Sequence, residues 1–161
     1  MDTERRRCRI TLSTLGTGVI AFGVWSVLKT YLYFWVDAYD FDKSALSPKD
    51  LKYFNIAVII FVTVMLLVDF GLRSYVGLSA RAVSMGKRKS IAYIVVAALM
   101  LASNIFSWIL VLMGRTSARL EKQSTLDFYV STFVDLTSMA MLAELLYNAL
   151  RLRRLEKLTE D

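Results

Sequence analysis

Four apolar stretches alternate with short polar ones along the chain. Residues 10–36 carry a single charge, Lys29. Residues 54–72 carry Asp69 near their end, residues 91–112 carry no charge, and residues 128–150 carry Asp135 and Glu144. A helix needs about 20 apolar residues to cross a hydrocarbon core of about 30 Å, and each stretch meets that length. The pattern predicts an all-α protein, an antiparallel bundle of four transmembrane helices in one domain spanning residues 1–161. The expected bounds are about 10–36 for helix 1, 48–76 for helix 2, 90–113 for helix 3 and 125–152 for helix 4.

The connections carry start and stop signals. In Ser47-Pro48-Lys49-Asp50 the serine can accept from an orphan helix N–H. Pro48 suits the first helical position, and Asp50 suits the positive end of the helix dipole. Ser124-Thr125-Leu126-Asp127 repeats the device before the fourth stretch. Residues 73–90 hold five basic residues and no acid, with Gly77 and Gly86 expected to interrupt the helix. Part of this segment is expected to extend helix 2 or to lie as a short helix at the headgroups. Gly16 and Gly23 share a face of helix 1, and Ala98 and Ala102 share one of helix 3; small residues so spaced allow helices to approach closely.

Composition adds little until its arrangement is considered. The chain is 56% hydrophobic, a fraction that soluble domains also reach; the segregation of charge into connections is what points to a bilayer. The net charge of +6 comes from residues flanking apolar runs, as membrane anchors do, and no nucleic-acid motif accompanies them. Arg81, Lys87, Arg88 and Lys89 are the candidate anionic-lipid contacts. Thirteen basic residues fall on the side holding the termini and the middle connection, against six on the other (Lys43, Lys49, Lys52, Arg115, Arg119 and Lys122). The positive-inside rule then places both termini in the cytoplasm of a multi-pass protein of the cell membrane. The first apolar run is too long for a cleaved signal and reads as a retained anchor.

The chain has no histidine and one cysteine, Cys8. An intramolecular disulfide, a Cys/His metal site and a histidine-based triad are thereby excluded within one chain, and no cofactor is expected. Asp69 and Asp135 stand in VDFG and VDLT, contexts that match no intramembrane aspartic protease.

Ionisable residues within a span are costly and normally face other helices or water. Lys29, Asn104 and Asp135 fall at similar distances from the outer ends of their stretches and form the expected polar node, with Asp135 turned into the bundle and Lys29 as its partner. The competing reading has Lys29 snorkel to the interface among Tyr31, Tyr33 and Trp35. Asp69 and Glu144 are the remaining intramembrane acids; Asp69 is four residues from Arg73, the spacing of a local surface pair at the inner helix end. Glu144 is nine residues from Asp135, about 180° around the helix, so helix 4 is expected to be central or to make an oligomer contact.

These features predict a small polytopic membrane protein with no enzymatic activity, a subunit or scaffold that oligomerises or joins another membrane protein. The alternative is a small homo-oligomeric transporter or channel built around the polar node. The expected partners are the bilayer, a second copy or another membrane protein, and not nucleic acid.

Overall fold

The computed structural model describes residues 2–37, 48–87, 90–113 and 125–157. Within them every regular element is an α-helix: α1 (Asp2–Asp37), α2 (Pro48–Ser84), α3 (Ala92–Leu112) and α4 (Thr125–Lys157). All four are long and apolar enough to cross a membrane. At 1.5 Å per residue α3 is about 32 Å long and just fits a hydrocarbon core, whereas α1, α2 and α4 reach about 50 Å or more and must project beyond it.

The helix starts at Pro48 and Thr125 coincide with those read from the Ser-x-x-Asp segments; the capping serines, Ser47 and Ser124, lie outside the described residues. Three helices run further than the apolar stretches indicated. Helix α1 begins at Asp2 rather than near residue 10, with Asp2 and Glu4 in the first turn, where the dipole favours acids. Helix α4 continues to Lys157 rather than residue 152. Helix α2 passes through Gly77 without interruption and ends at Ser84 rather than near residue 76. A glycine inside a helix costs about 1 kcal/mol relative to alanine; here it is buried against α1, where close packing offsets the cost. Gly86 does end the helix, at φ +80°, a conformation open to glycine. Its N–H donates to Val83 C=O (2.9 Å) and that of Lys87 to Ala82 C=O (3.0 Å), the two bonds of a Schellman motif.

Helix α1 packs most extensively on α2 and also on α4, while α3 packs on α4 and α2. Leu12, Val76, Ala80, Tyr93, Ala97, Leu142, Leu145 and Leu152 form the buried centre. Cys8 belongs to it and is a buried free thiol. Ala98 and Ala102, the expected close-packing pair of α3, are exposed, and Ala97 takes the buried position. The core thus lies toward the end that holds the termini. Toward the other end Trp25, Leu28, Leu32, Ile60, Phe61, Phe106 and Phe133 present an apolar exterior. Polar side chains on the spans are answered locally: Thr14, Thr17 and Thr137 donate to Ile10, Ser13 and Phe133 C=O, and Asn148 Nδ2 donates to Glu144 C=O.

Candidate functional site

The polar centre of the structure is Arg73. Helix α2 carries it beyond Asp69 by one turn, and its Nε–H donates to Asp69 Oδ2 at 2.9 Å. Its Nη1 donates to Ser138 Oγ on α4 at 3.1 Å. On α1, Gly23 leaves room for its stem: a Cβ at Gly23 would lie 3.2 Å from Arg73 Cδ and 3.3 Å from its Cβ. One side chain therefore touches three helices. Only 12% of the Arg73 side chain is accessible, against 37% of Asp69, and Ser138 is buried. A guanidinium stays charged at any working pH and offers donors in a rigid fork, so it can hold a carboxylate on one edge and a hydroxyl on another.

This revises the reading of Asp69 and Arg73 as a surface pair at the inner end of helix 2. The i, i+4 pair is present, but its cation is enclosed by the bundle. It also revises the charge inventory, since Lys29 is not the only cation inside a span. The signal was in the sequence, in the apolar positions Val76, Leu78, Ala80, Ala82 and Val83 that continue past Arg73. Ending the helix at Gly77 hid it.

The positive charge of Lys29, and more weakly that of Arg73, acts on the Asp135 carboxylate, which lies one turn before Ser138 on α4. Lys29 is half-buried. Asp135 is exposed, so the four-helix chain does not enclose it as expected. Asn104 is half-buried on α3, and no hydrogen bond among the described residues joins it to Lys29 or Asp135. Glu144 is exposed. The basic set divides: Arg81 and Lys87 are exposed, and Arg88 and Lys89 lie outside the described residues.

A second polar cluster ties the chain's ends together. Arg5 Nη2 donates to Leu155 C=O at 2.8 Å, and Arg151 Nη2 lies 2.9 Å from Glu4 Oε1. Arg9 Nη2 lies 3.6 Å from Glu156 Oε1. Two clefts among the described residues bear on this. One, of about 570 Å³, is lined by Arg5, Arg6, Arg9, Ile10, Ser13 and Ser84. The other, of about 170 Å³, is an apolar groove between α1 and α2 that includes Leu28, Tyr31, Thr63 and Phe70; at its rim Tyr31 Oη and Thr63 Oγ1 are 3.2 Å apart. Arg73, Asp69 and Asp135 line neither cleft. Among the described residues no group of three or more His, Cys, Asp or Glu side chains could hold a metal ion.

No protein-family model, no curated protein and no solved structure matches this chain, so its functional reading rests on its own residues.

Proposed function

We propose that the chain is a small integral membrane protein of four antiparallel spans, acting as a non-catalytic subunit or scaffold that assembles with a second copy or another membrane protein. The observation that carries this reading is Arg73. Two of its donors are engaged in joining α2 to itself and to α4. That is the use of an ionic group to fix helix register, the best-attested role for a buried ion pair.

The order of contacts supports the antiparallel arrangement. Gly16 meets Gly77, Gly23 meets Phe70 and Tyr31 meets Thr63, so numbers rise along α1 as they fall along α2. Gly18 meets Met141 of α4 in the same sense. In that register Asp135 is level with residue 24, and Lys29 lies about 7.5 Å further toward the outer end. A lysine can span that distance with its flexible stem, so the offset leaves an oblique attraction between the two charges open to it.

Both termini face the cytoplasm of the cell membrane. With Arg73 inside the bundle, twelve basic residues remain on that side against six opposite, and the bias holds. Assembly is supported by α4, whose acids Asp135 and Glu144 are both exposed although they stand on opposite faces. A charge facing lipid alone is unfavourable by about 2.5–3.5 kcal/mol on insertion scales, which favours covering at least one of these faces with protein.

A second reading, an oligomeric transporter or channel, is favoured by one feature: exposed Asp135 beside two cations. Purified chain reconstituted in proteoliposomes decides between them. The subunit reading expects no proton or small-ion flux above empty vesicles, together with a defined oligomer or a co-purifying membrane partner. Flux abolished by Asp135→Asn would establish the transporter instead.

A further inference from the structure

The arginine-lined cleft has chemistry that neither the Arg73 clamp nor the assembly reading uses. Arg6 stands three and four residues before Arg9 and Ile10, and Ser13 four and three after them, so the four share one side of α1; Ser84, at the end of α2, closes the cleft opposite. Arg9 is the informative member. Its Nε–H is buried with no acceptor among the described residues. Its Nη2 reaches Glu156 only at 3.6 Å, longer than a well-formed charge-assisted bond. Its Nη1 lies close to the Schellman glycine, 4.0 Å from the place a Gly86 Cβ would occupy. A buried N–H left without an acceptor is costly, and native proteins seldom leave one so. Arg6 is exposed and has no hydrogen bond or ion pair among the described residues.

We propose that this cleft binds the phosphate of an anionic lipid headgroup. A phosphate oxygen supplies the acceptor that the Arg9 Nε–H lacks, and its other oxygens fit the guanidinium of Arg6 and the hydroxyl of Ser13; Ser84, whose hydroxyl donates to Arg81 C=O at 2.7 Å, serves as wall. Bidentate arginine–phosphate pairing is strong and directional. Lipid is favoured as the source over a soluble phosphate by position. The cleft lies where α1 enters its candidate span, and Ile10, which is 59% exposed, sits on the same side of α1 to meet the acyl chains. Among the described residues the ion pair of Arg9 is the 3.6 Å contact with Glu156, which leaves the Nε–H edge open. The site involves different residues from the exposed Arg81 and Lys87. It rests on the membrane placement proposed above.

The test uses the full chain in vesicles of phosphatidylcholine containing one fifth phosphatidylglycerol, followed by native mass spectrometry. Flotation with the vesicles comes first; a chain that does not float overturns the membrane placement itself. With insertion established, phosphatidylglycerol should be retained in preference to phosphatidylcholine. Arg6→Gln with Arg9→Gln should cut that retention by about tenfold or more. Arg81→Gln with Lys87→Gln removes the same charge outside the cleft and should change it less than about twofold. Ser13→Phe keeps every charge but fills the cleft, and should lose retention as the arginine pair does, which covers the case of an arginine variant that does not fold. Equal losses in the two double variants, or no preference for phosphatidylglycerol, would overturn the site in favour of general surface charge. Glycerol 3-phosphate bound by the chain with no retained lipid would overturn the lipid source.

Discussion

Gly16 and Gly77 meet backbone to backbone. A Cβ on Gly16 would lie 2.6 Å from Gly77 C=O oxygen, and one on Gly77 would lie 2.5 Å from Gly16 C=O oxygen. The contact is reciprocal, and each partner is main chain, which cannot rotate away. Membrane helices draw their association largely from such close packing, because lipid is as apolar as their side chains.

Gly16→Ala and Gly77→Ala should each destabilise the folded chain by about 1–3 kcal/mol, the usual range for overpacking a well-filled site. Gly71→Ala, with nothing within 4 Å of its Cβ, should be neutral or stabilise by up to about 1 kcal/mol. Gly18→Ala should fall between, since its Cβ would meet only the flexible end of Met141. Reversible unfolding in mixed micelles reads all four. Gly71→Ala as damaging as Gly77→Ala would rule out the close-approach account.

Asp69→Asn should cost more than Asp135→Asn. Asp69 accepts a direct 2.9 Å bond from an enclosed guanidinium, whereas Asp135 is answered at longer range. Breaking a fully buried pair costs about 3–5 kcal/mol. Asp69 is partly accessible, so about 1–3 kcal/mol is expected after allowing for solvent screening. Arg73→Met with Asp69→Leu should be better tolerated than Asp69→Asn alone, because no unpaired charge remains. Losses that simply add would show that the two residues do not interact.

Lys29→Met and Asp135→Leu should couple more weakly than the Asp69–Arg73 pair. The weaker attraction of Arg73 still acts on Asp135 when Lys29 is gone, so the single change Lys29→Met should lower the melting temperature in detergent only slightly. A double-mutant cycle gives the coupling directly. A coupling larger than that of Asp69 with Arg73 would restore Lys29 as the principal partner.

Cysteines placed at Ser44 and Thr116 should react with an impermeant maleimide from outside intact cells, and one at Thr3 should react only after permeabilisation. The native thiol must first be removed with Cys8→Ser. Cys8 is 3% exposed, so its silence would report burial rather than sidedness. External labelling at Thr3 would reverse the topology.

The sequence by itself determined the helices. Apolar runs with few charges, each long enough for a bilayer, favour internal hydrogen bonding of the backbone, so length and hydropathy fix the number of candidate spans. The starts at Pro48 and Thr125 were equally local, because capping depends on neighbouring residues. The stop at Gly86 was local too, whereas the continuation of α2 through Gly77 and of α4 past residue 152 was not, since buried Val76, Ala80 and Leu152 pack those segments on other helices. Which polar residues meet was decided only by the tertiary structure. Sequence depth placed Lys29, Asn104 and Asp135 together, but depth says nothing about azimuth or about which helices are neighbours. Gly23 opening space on α1, Ser138 turning inward on α4 and α2 continuing through Gly77 brought Arg73 to the centre. None of these three is visible along one helix, because each is a fit between surfaces of different helices.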